Sequence, residues 1–197
     1  MIKKGLLALL VIAALWQVWT TPGTVTLGPG IMVRSDPVQQ MYPTPIVHQF
    51  DGYTFTEMAT FSLQGKVLLR ADYSFDALSR YSPLNLTLGW KWMSDEAIIK
   101  HVRMKTVNRS VGWQAELSSP ISPDEISANM ATVYIVPENS AIKRQLSKVR
   151  TGEIIELSGS LINIKEEDGK SWQTSLSFPD RTIEILWVKQ VKILTPE

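Results

Sequence analysis

"GEIIELSGSLINI" (Gly152–Ile164), "EEDGKSWQTSLSF" (Glu166–Phe178) and "TIEILWVKQVKIL" (Thr182–Leu194) decide how this chain folds. The first is a long apolar-rich strand broken by Gly159, where a bend or bulge fits. Asp168-Gly169 then reads as a hairpin turn, followed by a strand alternating Trp172, Thr174, Leu176 and Phe178. The third stretch alternates Ile183, Ile185 and Trp187, then Val191 and Ile193. Three long bent strands with a helix before them predict a small, partly open barrel of the OB or SH3 kind.

That preceding helix lies in "ENSAIKRQLSKVRTG" (Glu138–Gly152). Ile142, Leu146 and Val149 recur at helical spacing, basic residues crowd its end, and Gly152 stops it. Thr132–Pro137, "TVYIVP", is a strand. In "SPISPDEISANM" (Ser119–Met130), Ser122 caps a short helix, Pro123 takes its first position, and Glu125 completes a capping box. "MKTVNRS" and "GWQAEL" form a hairpin turning at Ser110-Val111-Gly112.

Further upstream, "LNLTLGWKWMSDEAIIKHV" (Leu84–Val102) alternates Leu84, Leu86, Leu88 and Trp90 with polar or small residues, giving a strand with one apolar face. Trp92 continues that face, and for both tryptophans core packing outweighs a ligand platform. Ser94 fits a helix N-cap, Asp95 and Glu96 suit the positive end of the helix dipole, and Ile98, Ile99 and Val102 make its apolar stripe. "SFDALSRYSP" (Ser74–Pro83) is a loop with one helical turn. In "TFSLQGKVLLRADY" (Thr60–Tyr73), Phe61, Leu63, Gly65, Val67 and Leu69 define a buried face, with Ser62, Gln64 and Lys66 outside.

The N-terminus is of another character. In "MIKKGLLALLVIAALWQVWTTPG" (Met1–Gly23), Lys3 and Lys4 precede an apolar run that ends in Trp16, Val18 and Trp19. A spanning helix takes roughly 20 apolar residues, which Met1–Trp19 reaches if the lysines snorkel. A cleaved signal peptide would share the basic start but want small residues at its cleavage site, and "LWQVWTTPG" offers a poor one. Tryptophans at the far end suit a membrane interface. The expected organisation is a signal anchor over residues 1–21, an extended linker over 22–52 able to lay short strands on the domain, and a β-rich domain over 53–197. The lysines keep the start cytoplasmic and place the domain outside, in the periplasm. The fold class expected is β-dominated α+β: antiparallel sheets, two or three short helices, a barrel-like C-terminal part and one membrane helix.

At "PLNLTLGWKWMSD", "ISANMATVYIVP" and "VRTGEIIELSGSLINI…DGKSWQTSL" the chain resembles a family of uncharacterised bacterial membrane-anchored envelope proteins. Members carry an apolar N-terminal segment, a "GPG" linker, "LxLGWGxMSD", "HSANMHxIP" and "DGWxWxSSL". The resemblance covers most of the chain from Gly28 onward and implies an envelope location, but no reaction. This chain has Ile126 and Ala131 where that motif has histidines, and Lys91 where it has glycine.

Composition narrows the chemistry. Lys plus Arg number 20 against 19 acids, so no basic surplus supports nucleic-acid binding. There is no cysteine and only His48 and His101, which excludes thiolate chemistry and disfavours a metal site. No G-x-S-x-G elbow or phosphate loop is present, and Glu166-Glu167-Asp168 reads as a solvated hairpin tip. No catalytic, cofactor or metal residue is assigned. Trp90, Trp92, Asn129 and Trp172 are the candidate ligand or partner surface. The leading expectation is a non-enzymatic periplasmic binding or scaffold protein held in the inner membrane, with an envelope protein as partner. One alternative is an envelope hydrolase using His101 with Ser94 or Asp95. The other is a subunit of a larger membrane complex joined through the anchor helix.

Overall fold

The computed structural model describes residues 23–177 and 184–195. The expected anchor, together with Phe178 and Ile183 of the last hairpin, lies outside them. Nine strands are described: β1 (Val38–Phe50), β2 (Tyr53–Asp72), β3 (Leu84–Gly89), β4 (Val102–Val107), β5 (Ser110–Ala115), β6 (Met130–Pro137), β7 (Ile154–Glu166), β8 (Ser171–Trp172) and β9 (Glu184–Ile193). Three short helices join them: α1 (Glu96–Ile99), α2 (Pro123–Ala128) and α3 (Ser140–Leu146). The β-dominated build with antiparallel sheets and few short helices is as the sequence predicts.

The strands run in the order β1-β2-β3-β6-β9-β7-β8, and β7 also pairs with β2, so five strands close a ring. The halves of β2 serve different neighbours. Tyr53–Lys66 pairs with β7, while Lys66–Asp72 pairs with β3. Only β6 and β9 run parallel in the ring. The ring begins at β2, so it takes in far more than the C-terminal part of the chain. Each ring strand contributes to one apolar interior: Phe61 and Leu63, Leu86 and Leu88, Val133 and Ile135, Leu157 and Leu161, Leu186 and Val188. Ile142 and Leu146 of α3, with Val149, add to it.

A closed ring of bent strands needs extra residues where the ladder turns. Pairing skips Met58 and Leu68 on β2 and Lys189 on β9. Opposite Lys189 stands Gly159, where a Cβ would lie 2.0 Å from the Trp187 carbonyl oxygen. The bulge at Leu68 corrects the expected β2 face: Leu68 is buried in a separate cluster and Leu69 is only partly covered.

The outer faces are also covered, which corrects the one-faced reading of β3. All six of its residues are buried. A second cluster sets Phe55, Tyr134, Ile164 and Ile185 against Leu78 and Tyr81 of the β2–β3 connection. A third packs Leu68, Met93 and Ile98 against Met104 and Trp113 of the β4–β5 hairpin. That hairpin turns at Asn108-Arg109, two residues before the expected place, with Asn108 at φ 54°.

Three further expectations shift. The linker contains β1, a 13-residue edge strand on β2. Among the described residues of the alternating stretch after Asp168-Gly169, only Ser171–Trp172 is a strand. Lys66, expected outside, is buried and pairs with Glu96 at 2.7 Å. The capping box at Ser122, Pro123 and Glu125 forms as predicted.

Candidate functional site

The four residues proposed as a surface do not form one. Trp90 is fully buried in the barrel, and its amide donates to the Asn129 carbonyl at 3.0 Å. Asn129 ends α2, buried, with its side-chain amide donating to the Glu125 carbonyl at 2.6 Å. Trp92 is 42% exposed. Strand β3 stops at Gly89, and Lys91 takes φ 47°, so the alternation that would have carried Trp92 inward is interrupted. Trp172 is half-buried against the outer cluster and lines a different region.

The Ser94-Asp95-Glu96 run has a structural task that local reasoning only partly finds. Asp95, not Ser94, caps α1, accepting from the Ala97 amide at 2.8 Å. Ser94 lies one residue earlier, where its hydroxyl accepts from the Met32 and Val33 amides at 3.1 and 3.0 Å and donates to the Lys91 carbonyl. Asp95 also accepts from the Gly30 amide at 2.8 Å. The Glu96 carboxylate takes the Leu27 and Gly28 amides at 2.7 and 3.0 Å. Three consecutive side chains thus hold five backbone N–H groups of one strap, residues 27–33. Burial pushes the Glu96 carboxyl up, but the bonds from Lys66 and the two amides outweigh it and hold the group below its ordinary value.

The Ser94 hydroxyl is thus engaged by the strap and the Lys91 carbonyl. His101 follows α1, and its Nδ1 meets Glu116 Oε2 at 3.2 Å and Ser118 Oγ at 3.4 Å. A relay needs the hydroxyl and the acid on opposite ring nitrogens. Here both lie on the same one. Among the described residues no group of three or more acidic or histidine side chains is placed to hold a metal.

An open concavity lies elsewhere. A cleft of about 870 Å³ is bounded by the β2–β3 connection, the β4–β5 turn, Tyr134 of β6 and Trp172 of β8. Phe75 at its edge is 101% exposed. Arg109 organises one wall. Its guanidinium grips Asp76 through two bonds of 3.0 and 2.8 Å, and donates to Asn85 Oδ1 and the Ser82 carbonyl. It also lies 4.1 Å from the Tyr73 ring centroid and 5.6 Å from that of Tyr134, within cation–π range. The Tyr134 hydroxyl and the Asn85 amide donate back to the Arg109 carbonyl. Burial raises the Asp76 pKa, yet Arg109 beside it brings the carboxyl below the usual range. Asp72, the other acid in the wall, is paired with Arg70. The cleft is therefore aromatic and close to charge-neutral.

The sequence reading missed this cleft because the Tyr73–Phe75 stretch, Arg109 and Tyr134 lie far apart along the chain and share no motif. It also missed a polar knot on the edge strand. Glu57 is buried on β2 with His48 Nε2 at 2.5 Å, Lys189 Nζ at 2.7 Å and the Tyr42 hydroxyl at 3.4 Å. Burial works against its ionised form, while bonds from Lys189, Ser160 and His48 lower its pKa below the ordinary value. His48 packs edge-on against Trp187 at 5.1 Å. The knot ties β1 to β2 and β9, and its members satisfy one another.

No family model, curated protein or solved structure matches the chain.

Proposed function

We propose that this chain is a non-enzymatic binding or scaffold protein of the bacterial envelope, anchored in the inner membrane by residues 1–21 with its barrel in the periplasm. The anchor reading rests on the apolar run behind Lys3 and Lys4 and on the family resemblance. Among the described residues no helix is long and apolar enough to cross a membrane. We read the barrel as an OB-type fold. The support is its strand order, with the third and fifth ring strands parallel and a helix between the third and fourth.

The single observation carrying the binding reading is the aromatic cleft between the β2–β3 connection and the β7–β9 connection. Barrels of this order present ligands there. Phe75 and the half-buried Trp172 offer apolar, aromatic contact, the kind that anchors protein interfaces. A phosphate-bearing strand would need surplus positive charge, and Arg109 is committed to Asp76. The partner is accordingly an envelope protein segment.

A photocrosslinking residue at Phe75 tests this in native membranes, with the same residue at Leu117, 109% exposed just past β5 and not lining the cleft, as control. The proposal expects a discrete adduct from position 75 that disappears when Trp172 is changed to Ala. Equal labelling from both positions, or none from 75, contradicts it.

A further inference from the structure

The first described residues leave the barrel at a fixed place. The Val25 amide donates to the Thr151 carbonyl at 2.8 Å, and Gly152, at φ 90°, lies so close that a Cβ there would sit 1.8 Å from the Val25 oxygen. Glu96 holds Leu27 and Gly28 immediately after. Residue 23 therefore starts beside the turn that follows α3, at the rim of a cleft of about 620 Å³ lined by Thr24, Val25, Lys100, Thr151 and Gly152.

That rim is basic. From Ser140 to Gly152 the chain carries Lys143, Arg144, Lys148 and Arg150 and no acid. Ile142, Leu146 and Val149 point into the barrel, while Arg144 of α3 and Lys148, two residues past its end, are exposed, as is Lys100. Arg150 is paired with Glu153, and Glu96 is taken by Lys66. Among the described residues Lys100, Arg144 and Lys148 make no ion pair, so their charge is uncompensated. Neither the barrel core nor the aromatic cleft uses them.

We propose that Lys100, Arg144 and Lys148 rest on anionic phospholipid headgroups. The inference relies on the anchored reading above, which places an apolar segment directly upstream of Gly23. Basic side chains held within a Debye length of an anionic surface are drawn to it, and a short, pinned connection keeps them there. The contact would set the barrel's tilt on the membrane and fix where its aromatic cleft looks.

The chain has no native cysteine, so one introduced cysteine carries a single fluorophore. We place it at Ser147, between Arg144 and Lys148, and in a control chain at Ser177 on the β8–β9 connection. The full-length protein is reconstituted in nanodiscs with and without phosphatidylglycerol, each containing a headgroup-attached quencher. The expected result is quenching at position 147 several-fold above that at 177, only with phosphatidylglycerol. It should fall to the control level in the Lys100→Glu/Arg144→Glu/Lys148→Glu variant and, for the unaltered chain, at high salt. Incorporation into discs with equal quenching at both positions, or with quenching indifferent to lipid charge and salt, overturns the headgroup contact and leaves the anchor standing. A chain that enters neither kind of disc overturns both.

Discussion

Lys91 shows how much a single residue can depend on backbone geometry. Its φ of 47° is a conformation in which an L side chain is strained and glycine is not. The resembled motif carries glycine at this position. The lysine's compensation is an exposed ion pair with Asp36 at 2.6 Å, a contact of small net value at the surface. Lys91→Gly should therefore stabilise the fold by about 1 kcal/mol, read as a higher urea midpoint at unchanged slope. A lower midpoint would mean that the Asp36 pair outweighs the strain.

Glu96 makes the strap pH-sensitive. Its carboxyl is held below the ordinary value of 4.5 in the folded chain, chiefly against burial by Lys66 and the Leu27 and Gly28 amides. A depressed folded value means the unfolded chain takes up the proton first. The stabilisation is complete above 4.5 and is lost as pH falls through the lower, folded value. Hydrogen exchange at the Leu27 and Gly28 amides should accelerate over that acid range, and Glu96→Gln should show the acceleration already at neutral pH. Protection that persists in the Gln variant at neutral pH would assign the strap's order to Ser94 and Asp95 instead.

At the scale of elements, the β4–β5 hairpin depends on Arg109. Its side chain and carbonyl serve Asp76, Ser82, Asn85 and Tyr134 at once. Arg109→Ala would leave the buried Asn85 side-chain oxygen Oδ1 short of a donor and free the β2–β3 connection. A loss of about 2 kcal/mol is expected, together with a loosened cleft wall seen as faster exchange from Tyr73 to Ser82. Retained stability and exchange would show that the hairpin is held by its apolar contacts alone.

The elements that sequence reading placed well are those whose signals are local. Ser122, Pro123 and Glu125 lie within four residues, so their capping box could be read directly. Gly159 announced its bulge because a β-rich run rarely tolerates glycine without one. Ser94 was misplaced by one residue because two residues in succession can cap, and the choice is made by Met32 and Val33, some sixty positions away. Lys66 looked exposed by alternation, but it stands where β2 passes from β7 to β3, and Glu96 covers it. The Trp90–Trp92 spacing implied a shared face only for as long as the strand continued.

At the scale of the molecule, barrel closure could be anticipated in kind but not in extent. Three bent C-terminal strands suggested a barrel, yet the ring closes through β2 and β3, which reach back to residue 53. Pairing between β2 and β7 spans about a hundred residues and leaves no periodic trace. The cleft was hidden for the same reason, since its walls come from four separate connections and strands. The ring and the strap together give a head whose N-terminal exit is held at Val25 by Thr151 and at Leu27 and Gly28 by Glu96.

In the function proposed, the segment before Pro22 holds the barrel at the outer side of the membrane. A single cysteine at Leu117, fully exposed, in the otherwise cysteine-free chain reports its side of the bilayer. Cells expressing the full chain should yield it in the membrane fraction, and a membrane-impermeant maleimide should label position 117 in spheroplasts without lysis. A chain recovered from the soluble cytoplasm, or labelled only after lysis, would contradict the account.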